Sequence, residues 1–204
     1  DDIEVEDALA LYRGLRACAE TYGVTLGGGD IVRAPVFSVT VALSGWADVS
    51  PLSQPRVLTR GAARPGDVVA GTGSIGDAAG GLVLLREGSR VETEAEQQLR
   101  NAHERPEPRV AVGRAAVRAG VRCGIDVSDG LVRDLGHVVK MSGAGIRIEA
   151  VRVPVSDALH EVFPGRALGL ALNGGEDYEL VIVGARPAID AVIASGAGPV
   201  TVIG

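Results

Sequence analysis

The first fifty residues combine one helical pattern with two apolar runs. Apolar residues fall every three or four positions over residues 5–22, which predicts an amphipathic helix that ends at Gly23. VTLGGGD then predicts a strand that stops at Asp30. FSVTVALSG, residues 37–45, predicts a second strand because β-branched residues are frequent in it. Residues 48–55 include two prolines and predict a linker.

After the linker, short apolar runs and helical patterns follow one another without the strict alternation of a doubly wound sheet. Strands are predicted at 67–73, at the start of 123–130, at 145–153, in the last part of 168–184 and at 200–204. Helices are predicted at 75–86, 92–104, 110–119, 131–143, 155–163, at the start of 168–184 and after 186. These elements predict an α+β fold with a mixed sheet and flanking helices.

Composition excludes some classes of function. Hydrophobic residues make up 46% of the 204 residues and aromatic residues 3%, so aliphatic side chains must fill the core. The net charge of −6 and the lack of a Lys/Arg block argue against a nucleic-acid or anionic membrane partner. No apolar run approaches the ~20 residues of a membrane span. Cys18 and Cys123 form no CxxC motif, which predicts reduced thiols in a cytoplasmic protein.

The glycine-rich stretch GTGSIGDAAGG, residues 71–81, has the GxGxxG spacing of a dinucleotide-binding loop. That loop also needs a compact βαβ unit and an acidic residue about 20 positions later. The segment that follows is polar and helical, so the NAD hypothesis is weak. A tight strand-to-helix turn explains the stretch better, with Ser74 and Asp77 as a capping box and close packing at Gly80 and Gly81.

Three predicted strands end in glycine and carboxylate residues. These turns are LGGGD, GIDVSDG and NGGEDYEL, and their acids are Asp30, Asp126, Asp129, Glu176 and Asp177. Carboxylates grouped without His or Cys suit hard cations with oxygen ligands, and favour Mg²⁺ over Zn²⁺. Magnesium held in this way usually takes its remaining ligands from water and substrate phosphates. The turns therefore point to phosphoryl transfer.

Each acidic turn also has a purely structural interpretation. Ser128 or Asp129 could cap the helix that follows. No GxxxxGK[ST] loop is present and Lys140 is the only lysine, which excludes a P-loop enzyme or a typical protein kinase. Any basic contact to phosphate must come from arginine, with Arg60 and Arg64 as first candidates. None of the histidines has the spacing of metal ligands, and they are His103, His137 and His160.

The motifs GGD, TRGAARPGDVVAGTGSIGDAAGGL, RPEPRVAVG, IDVSDGLVRDLGHVVKMSGAG and GGEDYEL together resemble the thiamine-monophosphate kinase family, within the aminoimidazole ribonucleotide synthetase superfamily. The resemblance implies the C-terminal part of a two-domain fold. Residues 1–50 would be a remnant of the N-terminal ATP- and metal-binding domain, and residues 51–204 the C-terminal α+β domain. It also implies ATP-dependent phosphorylation of thiamine monophosphate to thiamine diphosphate, with several Mg²⁺ ions, in a cytoplasmic homodimer.

The resemblance also implies roles for individual residues. It assigns metal binding to Asp30, Asp126 and Asp129, ATP binding to Gly29, Asp30, Arg60 and Ser128, and a thiamine contact to Glu176. The chain departs from the family at Ile31, where the family usually has threonine. It also lacks the family's N-terminal half, which favours a fragment that cannot assemble the full metal cluster alone. A catalytically incomplete nucleotide-binding or interaction chain of the same fold is the alternative.

Overall fold

The computed structural model describes residues 3–47, 56–88 and 90–204 of the chain. The chain divides into two compact units, Asp1–Trp46 and Ala47–Gly204. The predicted linker at 48–55 lies outside the described residues, and the roles assigned to the two parts stay predictions. Among the described residues, no helix has the length and apolar character needed to cross a bilayer.

The first unit contains helix α1, Val5–Tyr22, where the sequence predicts it. Gly23 ends the helix in the left-handed conformation, with φ 65°. The amide of Val24 then donates to the carbonyl of Ala19 at 2.8 Å, which satisfies one of the free carbonyls of the last turn.

The two strands predicted at 24–30 and 37–45 are wrong, because the structure has no strand in residues 24–47. Their apolar side chains are exposed, including Phe37 and Leu43. A strand forms only when its backbone amides and carbonyls pair with another strand. β-branched residues favour an extended backbone, but they do not provide a second strand to pair with. Among the described residues, no strand pairs with either run.

The second unit is built on an antiparallel sheet with the strand order β2-β3-β1-β4. The strands are β1 Val68–Thr72, β2 Cys123–Val127, β3 Glu179–Gly184 and β4 Val200–Val202. The parallel pairing recorded in the described residues is the isolated bridge from Thr59 to Cys123. The α+β fold class is confirmed. The mixed sheet is not observed, because all four named strands pair antiparallel and the one parallel pairing among the described residues is this isolated bridge.

The helices of the second unit cover both faces of the sheet. They are α2 Asp77–Arg86, α3 Glu94–Glu104, α4 Val110–Arg118, α5 Leu131–Ser142, α6 Asp157–Val162, α7 Ala167–Asn173 and α8 Arg186–Ala194. One face packs Val181 of β3 against Leu135 of α5 and its neighbours. The other face packs Ile182 against Val112 of α4 and Ile189 of α8. This alternation along β3 is the period of a strand buried on both faces.

The strand predicted at 145–153 is also wrong. The structure has a short 3-10 turn at Ala150–Arg152 and no strand at residues 145–149. The amide of Glu149 donates to the carbonyl of Ile203 at 2.7 Å, yet no ladder forms. The run GIRIEAVRV therefore lies beside the sheet without joining it.

Close packing at Gly80 and Gly81 is confirmed. A side chain at Gly80 would approach Leu159 within 2.7 Å, and one at Gly81 would overlap the carbonyl of Leu99. These glycines let α2 lie directly against α3 and α6. The glycine run therefore serves helix packing, as the strand-to-helix interpretation predicts.

Candidate functional site

Two of the predicted acidic turns lie against each other at one end of the sheet. The amide of Glu176 donates to the carbonyl of Ser128 at 2.9 Å, and the amide of Tyr178 donates to that of Val127 at 2.8 Å. Gly175 packs so closely that a Cβ there would overlap the Ser128 carbonyl oxygen. The turns at 126–130 and 174–178 therefore form one continuous surface.

A buried carboxylate, Asp134, organises the first of these turns. One oxygen of Asp134 accepts hydrogen bonds from the amides of Ser128 at 3.0 Å, Asp129 at 2.9 Å and Gly130 at 3.1 Å. The prediction that Ser128 or Asp129 caps α5 is wrong, because Gly130 is the N-cap of that helix and no side chain makes a capping hydrogen bond there. Asp126 and Asp129, which lie in the same turn, are exposed.

The exposed acids share one electrostatic environment around Tyr178. Its hydroxyl donates to Glu176 Oε2 at 3.3 Å. The negative charge of Glu176 is the main cause that raises the pKa of Tyr178, with burial and the charges of Asp126 and Asp129 adding to it. The negative charges of these three carboxylates therefore add up near Tyr178. A cation bound there would neutralise them.

One group of side chains in the described residues could surround a cation directly. Candidate ligand atoms of Asp129, Asp134 and His137 lie within 4.8 Å of one another. Asp134 already accepts three amide hydrogen bonds, and Arg133 approaches Asp129 at 3.5 Å. The exposed Asp129 carboxylate is therefore the most available oxygen ligand of this group.

The backbone is strained where the second turn meets the site. Glu176 has φ 68° and Tyr178 has φ 50°, both in the left-handed region that non-glycine residues rarely adopt. Each such residue costs on the order of 1 kcal/mol and persists only when its surroundings fix it. The hydrogen bonds to the Ser128 and Val127 carbonyls provide that constraint. Strain concentrated in this way is typical of functional sites.

The other predicted site residues lie elsewhere in the described chain. Gly29 and Asp30 belong to the first unit, where Asp30 is exposed and one of its carboxylate oxygens accepts from the amide of Ile31 at 2.9 Å. The backbone of Arg60 lies beside the start of β2, where Ser142 Oγ donates to its carbonyl at 3.0 Å. Asp126 is three residues beyond Cys123, the first residue of β2, which is about 10 Å along the strand.

Asp177 has a structural role that the sequence does not reveal. Its carboxylate accepts from the amides of Gly76 at 2.8 Å and Ala78 at 3.1 Å, at the start of α2. The predicted capping box of Ser74 with Asp77 is therefore wrong. Gly76 is the N-cap, with φ 99°, and Asp77 accepts a hydrogen bond from Ser156 Oγ at 2.6 Å instead.

Glu179, the second glutamate of GGEDYEL, forms a largely buried ion pair with Arg109. Arg109 donates to both of its carboxylate oxygens, at 2.8 Å and 2.7 Å, and Thr72 Oγ1 donates to one of them. Arg109 also contacts Glu107 at 2.9 Å, and these partners raise the pKa of Arg109. No local sequence signal could find this pair, because its members are 70 residues apart.

A cavity of about 430 Å³ opens next to Asp126. Its lining residues are Pro106, Pro108, Arg109, Asp126, Tyr178 and Leu180. The loop between α3 and α4 supplies one wall, and the ends of β2 and β3 supply the other.

Replacing Gly73 with alanine should show how closely Glu179 approaches the glycine run. Gly73 has φ 55°, and a Cβ there would overlap the Glu179 carboxylate. Gly196 is a matched control, with φ 65° and no atom within 4 Å of the added Cβ. We expect Gly73→Ala to lower the free energy of unfolding by about 2 kcal/mol more than Gly196→Ala. Equal losses in chemical denaturation would contradict the close approach.

The stability of the protein should depend on the ionisation of Asp177. Burial raises its pKa from 3.8 to about 7, opposed by the amides of Gly76 and Ala78 and reinforced by the charges of Asp77 and Glu179. The folded state thus binds a proton that the unfolded chain releases. Its contribution to stability is full below pH 3.8 and is lost as the pH rises through about 7.

The substitution Asp177→Asn isolates this effect because it removes the titration and keeps one acceptor oxygen. Denaturation of both proteins at about pH 5 and about pH 8 measures it. We expect the wild-type chain to lose more stability than the variant between these two values. The same loss in both proteins would rule out Asp177 as the source.

Comparison with known protein families identifies the class of the fold. Residues 64–204 match the family model described as AIR synthase related protein, C-terminal domain. The chain therefore belongs to the AIR synthase related family, and the predicted fold is confirmed.

Within this family, the chain is similar to individual thiamine-monophosphate kinases. The chain is 40% identical over 200 residues to thiamine-monophosphate kinase of Salmonella typhimurium, across 96% of this chain and 59% of the relative. It is 41% identical over 188 residues to the Escherichia coli K12 protein of the same name, across 90% of this chain and 56% of the relative. The resemblance to thiamine-monophosphate kinases is thus confirmed, and the chain spans little more than half the length of these relatives.

Solved structures with a similar fold include a protein of the same name. The crystal structure of thiamine-monophosphate kinase from Stenotrophomonas maltophilia K279a has a TM-score of 0.66 and 36% identity, over 72% of this chain and 49% of that chain. The structure of AaThiL complexed with AMPPCP and TMP has a TM-score of 0.81 and 26% identity, over 100% of this chain and 63% of that chain.

Proposed function

We propose that the protein carrying this chain catalyses the ATP-dependent phosphorylation of thiamine monophosphate to thiamine diphosphate, by Mg²⁺-assisted in-line transfer. The observation that carries the proposal is the joined pair of turns, IDVSDG and GGEDYEL, which holds three exposed carboxylates on one surface. The similarity to thiamine-monophosphate kinases and to the AaThiL complex with AMPPCP and TMP supports the choice of substrates.

The carboxylate oxygens fit a magnesium site. Asp126 and Asp129 are exposed, and Asp134 binds the backbone amides of the turn that carries them. Asp30, which belongs to the first unit, is proposed as a metal ligand on the family resemblance alone. These carboxylates would hold Mg²⁺, which would supply charge neutralisation for the phosphates in phosphoryl transfer. The protein's own contribution is to hold the carboxylates in place before the substrates arrive.

The remaining assignments follow the same family resemblance. Ser128 and Arg60, with Gly29 and Asp30 of the first unit, are proposed contacts for ATP. Glu176 is the proposed contact for the thiamine moiety, and its hydrogen bond with Tyr178 fixes its carboxylate. Assembly as a homodimer and a cytoplasmic location stay predictions.

The substitution Asp126→Asn tests the metal site. We expect the affinity for ATP in the presence of Mg²⁺ to fall about 100-fold, because one charged metal ligand is lost. Asp190→Asn is the matched control, since Asp190 is an exposed acid on α8 that pairs only with Arg186 among the described residues. Calorimetric titration of the 204-residue chain measures both variants.

An unchanged Mg²⁺-dependent affinity in Asp126→Asn would refute the metal assignment. Formation of thiamine diphosphate from thiamine monophosphate and ATP by the full-length protein that carries this chain tests the activity itself. A protein that binds both substrates and forms no thiamine diphosphate would instead support the catalytically incomplete alternative.

A further inference from the structure

A second cavity opens at the other end of β2, away from the acidic turns. Its volume is about 150 Å³, and three arginines line it, namely Arg56, Arg118 and Arg122. Arg122 directly precedes β2, whereas Asp126 lies four residues later, about 13 Å further along the strand. The cavity is therefore separate from the proposed metal site and from the cavity beside Asp126.

The arginines of this cavity carry charge that no acid neutralises. All three are exposed, and none of their side chains has an ion-pair partner among the described residues. By contrast, Arg109 and Arg186 each contact a carboxylate. Acidic residues outnumber Lys and Arg in this chain by 26 to 20, so acids are not scarce. Three like charges at one cavity repel one another, and a bound anion would remove that repulsion.

The backbone that carries these arginines is held in place. The amide of Thr59 donates to the carbonyl of Arg122 at 2.8 Å, which fixes residues 56–59 against the start of β2. Gly120, with φ 88°, makes the turn that leads out of α4, and Val121 after it is buried beneath the sheet. An anion therefore has to order only the arginine side chains when it binds, which lowers the entropic cost of binding.

Helix α4 directs its carbonyl end towards this cavity, and free carbonyls there would repel an anion. The amides of Gly120 and Val121 already donate to the carbonyls of Val117 and Ala116, at 3.2 Å and 2.9 Å. Arg118 lies in the last turn of the helix, and its guanidinium makes no hydrogen bond to these carbonyls. Its donors are therefore available to a ligand in the cavity.

We propose that this cavity binds a diphosphate group through Arg56, Arg118 and Arg122. Guanidinium groups donate paired hydrogen bonds to phosphate oxygens, which selects for such anions. A single phosphate group carries about two negative charges at neutral pH, so three arginines match a diphosphate better. The cavity is smaller than the ~300 Å³ of typical small-molecule sites, so it holds the diphosphate and leaves any attached group in solvent. The inference goes beyond the proposed function and does not depend on it.

Calorimetric titration of the full-length protein that carries this chain tests the site with inorganic diphosphate, inorganic phosphate and sulfate. EDTA is present, so that binding through Mg²⁺ at the carboxylate turns does not contribute. We expect diphosphate to bind about tenfold more tightly than phosphate, because its additional charge meets the third arginine. Sulfate that binds as tightly as diphosphate would overturn the proposal, as would a lack of diphosphate binding.

Arginine substitutions locate the site. We expect Arg118→Ala and Arg122→Ala each to weaken diphosphate binding about tenfold. Arg86→Ala is the matched control, since Arg86 is also an exposed arginine in the last turn of a helix and has no ion-pair partner among the described residues. An equal loss in Arg86→Ala would overturn the proposal, because the overall charge of the protein would then explain the binding. An unchanged affinity in both cavity variants would overturn it as well.

Thermal unfolding gives a second readout and shows whether each variant folds. Excess diphosphate should raise the Tm of the wild-type protein by a few degrees and should leave that of Arg118→Ala unchanged. If Arg118→Ala does not fold, Arg118→Gln replaces it. A wild-type Tm that does not respond to diphosphate, with a lower Tm in the ligand-free variants, would show that the arginines have a structural role only and would refute the site.

ADP in EDTA identifies what carries the diphosphate group. ADP that binds as tightly as inorganic diphosphate, and loses affinity in Arg122→Ala, supports a site for a diphosphate attached to a larger molecule. ADP that binds much more weakly supports a site for free diphosphate.

Discussion

Replacing Glu179 with alanine should lower the free energy of unfolding by about 4 kcal/mol. The side chains of Glu179 and Arg109 are only 8% and 18% exposed, so loss of the carboxylate leaves a largely buried guanidinium without its main partner. Thr72 loses its acceptor in the same variant. Breaking one partner of a buried pair costs more than the pair itself contributes, because the remaining charge is poorly solvated. Urea denaturation with circular dichroism measures the loss.

The control for this prediction removes both charges together. A double variant, Glu179→Leu with Arg109→Met, leaves no buried charge behind, so we expect it to be more stable than Glu179→Ala alone. The exposed pair of Arg186 with Asp190 gives the opposite reference, since Asp190→Ala should cost no more than about 0.5 kcal/mol. A loss in Glu179→Ala as small as that of Asp190→Ala would show that the Arg109 pair has no stabilising role.

Replacing Asp134 with alanine should lower the free energy of unfolding by about 3 kcal/mol. Three amides, those of Ser128, Asp129 and Gly130, lose their acceptor at once, and the carboxylate that binds them is buried. The turn that carries Asp126 should also become mobile, so hydrogen exchange at these amides should accelerate. Asp134→Asn keeps one acceptor oxygen and should lose about half as much.

Hydrogen exchange distinguishes an effect of Asp134 on the turn from an effect on the stability of the whole fold. Protection of amides in β1, Val68–Thr72, should fall only as far as global stability falls, whereas the three turn amides should lose protection beyond that. If all amides lose protection equally, Asp134 acts on the core and does not specifically order the turn.

Much of the local structure could be predicted from periodicity and turn chemistry. Helix α1 and its end at Gly23 follow from apolar spacing and a C-terminal glycine, and α5 follows in the same way with Gly143. The IDVSDG and GGEDYEL turns stood out because glycine and carboxylates follow apolar strands. These features depend on residues close in sequence.

Strand pairing could not be predicted, because it depends on partners far along the chain. Residues 24–30, 37–45 and 145–153 have strand composition, and none forms a strand among the described residues. Capping boxes could not be predicted from their sequence pattern alone either. Thr93 and Glu96 form one with both hydrogen bonds, whereas the similar pattern of Ser74 and Asp77 does not.

The tertiary structure alone decided which acids are free and which are structural. Asp177 and Glu179 are in the same motif as Glu176, yet they bind α2 and Arg109, at separations of 101 and 70 residues. Sequence by itself determined the residue types, the local helices and the family. It could not determine that Asp126, Asp129 and Glu176 stay exposed on one surface, because the amides and the cation that bind neighbouring carboxylates come from distant segments that only folding brings near.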